Sequence, residues 1–560
     1  MNNTFLQGLS EKRKQGLIFA FLWLLTLAIY LPAAKAGWTI DAVGGINNMK
    51  HMPFMDFING RQSTTQSLYQ EYLLELYLIY KVCGVNPLAW SLLFITVHAI
   101  NAWLICRFTS KLLSDTGIAN TLAPALCGAI LFTICPHISE LLIWKACFHY
   151  LQGFMFILMA MVWLQQYQHR QQRRYIAGAL AVFILSVFSL EVFYLTPVFL
   201  LFIALYYRIG LNYDKKIFSK TTWYFIAPQL VIMLCYFGML YGMYGYVTPH
   251  MNNVFSQTVM DYMAKPPKYL FNILFLGRYF PKNVKDSVSA LCGDIPFLVA
   301  FYCIALLFIT DKITSFRKMT GRGKATLLFF LCTIITIIFL MPLPFPGTAL
   351  LVFYDRYTYF ADGFIYTMLA ILIARHLNRY IAAALFVAYI AINLVFTVKV
   401  NTYWKQSAYI TGRLIQDLPD AEGKTTLLLN LPENMNGVPM IGAQPEGQFR
   451  MMSEVLSGKI ITTPIYDVAS YNMLDKNSGA HVVVANDSVI HVTLNQWNTW
   501  WWYGGHGATD YENSDYKVKM TDPGHWYELT LKKPASQYLL LFQTGDQWRI
   551  VNMNKREDQY

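Results

Sequence analysis

Five charged side chains stand where apolar segments of the chain begin or end. Asp41 follows the first apolar run, Glu140 and Glu191 lie beside later ones, and Asp355 with Arg356 precedes another. A carboxylate at such a boundary can act as a general base toward a hydroxyl. An arginine can hold a phosphate through two parallel hydrogen bonds. Together these residue types predict group transfer from a phosphate-linked substrate.

The same residues also have a structural interpretation. Asp41 could be a helix cap or a solvated turn residue. Asp355 and Arg356 could be interfacial charges beside the aromatic residues that follow them. Glu140 and Glu191 lie in stretches so apolar that a carboxylate there must be paired or used. The sequence alone leaves these alternatives open.

The composition indicates a membrane protein. The 560 residues are 55% hydrophobic and 14% charged, and the mean hydropathy is +0.35. So little charge cannot cover the apolar surface of one soluble domain. The net charge of +12 comes from loops between apolar runs, so it reports membrane topology and not a nucleic-acid partner.

Apolar runs predict about eleven membrane spans and hence a polytopic α-helical fold. They lie at residues 16–31, 88–106, 121–136, 150–167, 175–189, 192–207, 222–244, 295–310, 325–342, 362–375 and 380–398. The first run could instead be a secretory signal, because Ala34-Lys35-Ala36 resembles a cleavage site.

The loops on the side of the N-terminus are the more basic ones, which predicts that this side is cytoplasmic. An odd number of spans then places loops 35–87 and 245–294, and everything after residue 400, on the outer face. We predict a transmembrane domain over residues 1–400, a connecting segment over 401–423 and a small β-rich domain over 424–560. The strand-like segments are 425–431, 481–484, 490–494, 527–531, 538–542 and 548–551.

The external loop 245–294 mixes basic and aromatic residues. Lys265, Lys268 and Arg278 stand among tyrosines and phenylalanines, a pattern typical of a segment lying on anionic headgroups. The loop could also close over a lipid-linked substrate. Pro266-Pro267, like the prolines of residues 342–346, predicts a turn.

No metal or disulfide pattern is evident. The nine cysteines are scattered, and the histidines at 137, 149, 481 and 506 have no mutual spacing typical of metal ligands. We predict no organic cofactor and no metal-ligand residues, and the sequence leaves a divalent-cation requirement open.

Four segments in order resemble bacterial relatives of the transmembrane and TPR-containing O-mannosyltransferases, which have the GT-C fold. Asp355-Arg356-Tyr357-Thr358-Tyr359 resembles the family's Asp-Arg-Tyr-x-Tyr motif. The other three are Gly84-Val85-Asn86-Pro87 with His98 and Asn101, the Pro136-Glu140-Trp144 spacing, and Ser189-Leu190-Glu191. The chain departs from the family in three ways: Thr39-Ile40-Asp41-Ala42 offers one acid where the family often has a pair, Leu190 replaces a lysine, and no tetratricopeptide repeats follow the last span.

The resemblance implies an inverting glycosyltransferase of a bacterial inner membrane. It would take a sugar from a polyprenyl-phosphate donor on the outer, periplasmic face and give it to a protein, lipid or glycan acceptor. Asp41 would be the base, Glu140 and Glu191 would shape the site, and Arg356, positioned by Asp355, would clamp the phosphate. The expected substrate-binding residues are Asp355, Arg356, Tyr357, Tyr359, Lys265, Lys268 and Arg278. A non-catalytic scaffold or lipid-binding partner in envelope polysaccharide assembly is the main alternative, and a transporter is the third.

Overall fold

The computed structural model confirms a polytopic helical protein with a β-rich C-terminal region. It describes residues 10–60, 68–189, 191–246, 258–340, 355–441, 448–495, 499–501, 510–522 and 526–559. The whole of the expected turn at 342–346, residues 353–354 of the arginine segment, Leu190 and His506 lie outside the described residues.

The first half of the helical part contains the segments that carry Asp41 and Glu140. Its helices are α1 (Glu11–Tyr30), α2 (Ile40–His51), α3 (Phe54–Ile58), α4 (Gln70–Cys83), α5 (Pro87–Ser114), α6 (Leu122–Thr133), α7 (Ile138–Ile143), α8 (Phe148–Arg170), α9 (Arg173–Val187) and α10 (Leu195–Leu205). The expected external loop 35–87 is thus largely helical, with α2, α3 and α4.

The second half of the helical part contains the segment of Arg356, which contacts the first half. Its helices are α11 (Lys215–Thr221), α12 (Ala227–Tyr244), α13 (Val259–Phe275), α14 (Lys282–Leu291), α15 (Ile295–Thr314), α16 (Gly321–Leu340), α17 (Tyr359–His376) and α18 (Arg379–Gln416). One 3-10 turn, Asp355–Thr358, leads directly into α17. The last helix continues through most of the expected connecting segment 401–423.

Each of the eleven predicted spans overlaps a helix among the described residues, but those at 121–136, 175–189 and 192–207 overlap helices shorter than the 18 residues of a full span. Eight helical segments there are long and apolar enough to cross a membrane, and α6 and α10 are shorter apolar helices. The eight are Glu11–Ala33, Pro87–Ser114, Phe148–Arg170, Lys215–Tyr244, Ile295–Thr314, Gly321–Phe339, Asp355–His376 and Arg379–Gln416.

The turn expected at Pro266-Pro267 is wrong, because both prolines lie inside helix α13. A proline within a helix frees the carbonyl four residues earlier. For Pro267 that carbonyl belongs to Met263, and it accepts a hydrogen bond from the Tyr302 hydroxyl at 2.8 Å. The neighbouring helix α15 therefore replaces a hydrogen bond that the proline removes.

The C-terminal region forms three sheets beside one helix, α19 (Gln448–Ser457). The strands are β1 (Thr425–Leu428), β2 (Leu431–Met435), β3 (Val438–Pro439), β4 (Ile465–Asp467), β5 (Ser470–Met473), β6 (Ala480–Val484), β7 (Val489–Leu494), β8 (Thr499–Trp501), β9 (Tyr511–Glu512), β10 (Tyr516–Asp522), β11 (Trp526–Leu531), β12 (Tyr538–Thr544) and β13 (Gln547–Ile550). Their orders are β13-β12-β1-β4, β6-β7-β11-β10-β9 and β3-β2-β5-β8.

The C-terminal region packs against the helices. Buried apolar side chains of both parts belong to one continuous cluster. At the edge of the contact, Lys50 Nζ and His51 Nε2 of α2 reach Glu454 of α19 at 2.9 and 2.6 Å. The helix that carries Asp41 therefore contacts the C-terminal region directly.

Candidate active site

A glycine fixes the segment that leads to Asp41. Gly37 has φ +96°, and a Cβ atom there would lie 1.8 Å from the carbonyl oxygen of Ile143. The backbone N–H of Lys145 donates to the Gly37 carbonyl at 3.2 Å. The absence of a side chain thus lets the start of α2 lie directly against the residues that follow α7.

Glu140 of α7 holds Arg356. The backbone N–H of Arg356 donates to Glu140 Oε2 at 3.1 Å, and the guanidinium forms an ion pair with Oε1. The guanidinium also lies over the rings of Trp144, at 5.0 Å, and Tyr357, at 4.7 Å. Because charge, backbone and ring contacts all act on it, the arginine head group has a defined position.

Asp41 lies near that arginine. Its side chain is exposed, yet the surrounding protein desolvates the carboxyl and raises its pKa, an effect that the charge of Arg356 partly opposes. Accessible but desolvated groups of this kind line concave sites. The same three charges, Arg356, Glu140 and Asp41, all act on the buried thiol of Cys147, whose pKa is raised mainly by burial.

Helix α13 brings two lysines to the same neighbourhood. Lys265 and Lys268 are 1% and 6% exposed, so they face the protein and not its surface. Burial lowers the pKa of Lys265 to about 8 and also lowers that of Lys268. One turn after Lys265, Tyr269 lies close enough to Arg356 and Tyr357 for their charges to affect its pKa, which burial raises.

Asp355 has a different partner from the expected one. Its buried carboxylate forms an ion pair with Arg278, not with its neighbour Arg356. Arg278 also donates to the carbonyl of Asn436, between β2 and β3, at 3.1 Å. Asp355 and Arg278 therefore connect the arginine segment to the C-terminal region, while the positioning role expected of Asp355 is performed by Glu140.

Tyr357 and Tyr359, the two tyrosines of the Asp-Arg-Tyr-x-Tyr motif, lie in different surroundings. The ring of Tyr357 lies 5.8 Å from that of Tyr150 and beside Arg356. Tyr359 is fully buried, where its hydroxyl accepts from Asn101 Nδ2 at 2.9 Å and lies 2.8 Å from His98 Nδ1. Tyr359 thus packs α17 against α5 in the protein interior, whereas Tyr357 lies beside Arg356.

Glu191 lies on the single 3-10 turn Glu191–Tyr194, and its side chain is outside the described residues. The nearby Ser189 hydroxyl donates to Gln152 Oε1 at 3.1 Å. The Gln152 amide in turn donates to Glu71 Oε1 of α4 at 2.8 Å. The segment of Glu191 is therefore joined to a carboxylate that the sequence interpretation did not include.

Glu71 and Glu75 form an acid pair on α4. Burial, and then the negative charge of Glu71, raise the pKa of Glu75 to about 8. Burial raises the pKa of the Tyr72 hydroxyl, and the charges of Asp41 and Glu75 raise it further. Helix α4 therefore lies beside the segment of Asp41. Two carboxylates one helical turn apart in an apolar stretch were a visible signal that sequence reasoning missed.

Lys145 is a second missed residue. It is 2% exposed, its ammonium donates to Ser91 Oγ at 2.5 Å, and burial lowers its pKa to about 7. Its only sequence signal is a lysine in an otherwise apolar stretch after Trp144. It links the segment after α7 to α5.

No protein-family model and no curated protein matches the chain. Solved structures align with it at low identity. The Archaeoglobus fulgidus oligosaccharyltransferase AglB, in complex with an inhibitory peptide and a dolichol-phosphate, is 12% identical over 81% of this chain and 65% of its own, with a TM-score of 0.43. ArnT from Cupriavidus metallidurans bound to undecaprenyl phosphate is 10% identical over 80% and 89%, with a TM-score of 0.38. The chain thus spans slightly less than two thirds of AglB.

Proposed function

We propose that this chain is a GT-C-type membrane glycosyltransferase that moves a sugar from a polyprenyl-phosphate donor to an acceptor hydroxyl. The observation that supports it is an arginine fixed by Glu140 whose charge acts on the pKa of a nearby accessible carboxylate, Asp41. The carboxylate supplies a base and the arginine a site for a phosphate.

The reaction follows from these positions. The acceptor oxygen attacks the anomeric carbon, its proton passes to the Asp41 carboxylate, and the bond from that carbon to the phosphate oxygen breaks. Charge grows on the departing phosphate, where Arg356 stabilises it. A preorganised donor of this kind typically contributes about 10²- to 10³-fold in rate. Attack opposite the leaving group inverts the anomeric configuration.

Lys265 and Lys268 extend the positive region of the cavity. With a pKa of about 8, Lys265 is still mostly charged at neutral pH. A buried ammonium is costly unless an anion accompanies it. Asp261, one turn before Lys265, supplies negative charge to both lysines, and a phosphate on the lipid donor would add to it.

The membrane topology of the proposed site can be inferred from the positive charges of the loops. We propose that the cavity opens on the outer, periplasmic face of a bacterial inner membrane, with the N-terminus cytoplasmic and the C-terminal region periplasmic.

A transfer assay tests the proposal. The full-length protein in nanodiscs is incubated with the polyprenyl-phosphate sugars extracted from the source cells, and release of the free polyprenyl phosphate is followed by mass spectrometry. Asp41→Asn and Arg356→Ala should each abolish release while the protein stays folded. Asp286→Asn, an exposed carboxylate on α14, is the matched control and should retain it.

Full release by the Asp41 and Arg356 variants would refute the assigned roles. If the wild type itself releases nothing with any donor, the scaffold alternative, which predicts that these substitutions change no chemistry, replaces the proposal.

A further inference from the structure

Three potential metal ligands meet below the proposed cavity. They are Cys135 and His137, between α6 and α7, and Asp362 of α17, and each is completely buried. One ligand atom from each lies within 4.8 Å of the other two. A thiolate, an imidazole and a carboxylate form a donor set typical of zinc.

The contacts around the cluster leave the ligand atoms available. Thr358 Oγ1 donates to Asp362 Oδ2 at 2.7 Å, but Oδ1 accepts no hydrogen bond in the described structure. Neither ring nitrogen of His137 has a hydrogen bond of good geometry there. The Tyr366 hydroxyl lies 3.3 Å from Cys135 Sγ. Thr358 and Tyr366 thus orient two of the three ligands, Asp362 and Cys135, as outer groups do in metal centres.

The spacing of the atoms also fits an ion better than an ion pair. His137 Nδ1 and Asp362 Oδ1 are 3.5 Å apart, whereas a direct N–H···O bond is about 2.9 Å long. Two ligands at about 2.0–2.2 Å from one tetrahedral zinc ion are themselves separated by about 3.4 Å. A divalent cation would also neutralise the buried thiolate and carboxylate.

We propose that Cys135, His137 and Asp362 bind one transition-metal ion, zinc by the chemistry of its ligands, in a structural role. Cys135 and His137 immediately precede the helix that bears Glu140, and Asp362 follows Arg356 in the same helical segment. The ion ties together the two segments whose meeting forms the Glu140–Arg356 pair. It lies apart from the cavity, so its presence can be tested whether or not the chain is a transferase.

Metal analysis of the tag-free, full-length protein in detergent tests the inference. We expect about one zinc per chain in the wild type, held by three protein ligands with a fourth position left open, and less than a tenth of that in Cys135→Ser and Asp362→Asn. Cys332→Ser, another fully buried cysteine, should retain the metal. A strong chelator should lower the melting temperature of the wild type and of Cys332→Ser.

A second measurement covers the case in which the ligand variants fail to fold. Cobalt added to the metal-depleted wild type should produce thiolate-to-cobalt absorption in the near ultraviolet, and zinc should abolish it. A folded wild type that contains no zinc and gives no cobalt band would overturn the inference. So would zinc that stays bound at the same stoichiometry in folded Cys135→Ser.

Discussion

Arg356 donates through both its backbone N–H and its guanidinium to the two carboxylate oxygens of Glu140, a residue 216 positions earlier in the chain. This double contact fixes the start of the arginine segment and the direction of its side chain at once. The proposed phosphate clamp is therefore made by α7 and the 3-10 turn before α17 together.

The contact predicts the effect of Glu140→Gln. The amide keeps the shape but loses the charge-assisted bond, which is worth about 1.5–3 kcal/mol. We expect transfer to fall by about 10- to 100-fold, since each 1.4 kcal/mol is a factor of ten. The assay is release of polyprenyl phosphate. A variant as active as the wild type would show that Arg356 does not depend on Glu140.

A bell-shaped pH profile is expected for transfer. Asp41 must be ionised, and its pKa is raised by desolvation, so activity should rise with pH through a value above the ordinary carboxyl range. Lys265 is charged below its pKa of about 8, so activity should fall as the pH passes that value.

Two substitutions identify the group whose titration causes the fall in activity at alkaline pH. Lys265→Arg stays charged at every accessible pH and should move the fall upward. Glu75 also has a pKa of about 8, so Glu75→Gln serves as the control and should leave the fall in place. The reverse pattern would assign the fall to the acid pair on α4.

Gly37→Ala should destabilise the protein and reduce transfer. The new Cβ would lie 1.8 Å from the Ile143 carbonyl oxygen. The alanine would also have to keep the positive φ of Gly37, a backbone conformation that costs a non-glycine residue about 1–3 kcal/mol. Gly45→Ala, in α2 with no atom within 4 Å of its Cβ position, is the matched control. Equal melting temperatures for the two variants would contradict the close packing of Gly37.

The Arg278–Asp355 ion pair predicts the outcome of a double-mutant cycle. Removing one partner of a buried pair typically costs about 3–5 kcal/mol because the other charge is left behind. Arg278→Ala should therefore lower the melting temperature more than Arg278→Ala with Asp355→Ala does. Arg413→Ala breaks an exposed pair with Asp417 and should have little effect. A double variant less stable than Arg278→Ala would argue against the pairing.

Much of the fold could be predicted from the sequence, because it depends on local patterns. Long apolar runs specify spans, and each of those predicted is a helix. Short apolar segments separated by turn residues located β6, β7, β11 and β12. The parallel pairing of β1 with β4 and β12 depends on distant segments, and no local pattern encodes it.

The site was predicted only in part. Residue type identified Asp41, Glu140 and Arg356, which the structure brings together. Adjacency in sequence suggested that Asp355 would position Arg356, but its partner is Arg278, 77 residues away. Histidine spacing gave no metal signal, because His137 lies near a cysteine two residues earlier and an aspartate on another helix. Such meetings are properties of the folded chain.

The most direct test of the account is native mass spectrometry of the purified wild type beside Arg356→Ala and the control Asp286→Asn. We predict a bound polyprenyl phosphate, or its sugar-linked form, on the wild type and on Asp286→Asn, and its loss from Arg356→Ala. The same lipid at the same occupancy on Arg356→Ala, or no such lipid on any well-folded preparation, would contradict the proposal that Arg356 holds the phosphate of a lipid-linked sugar donor.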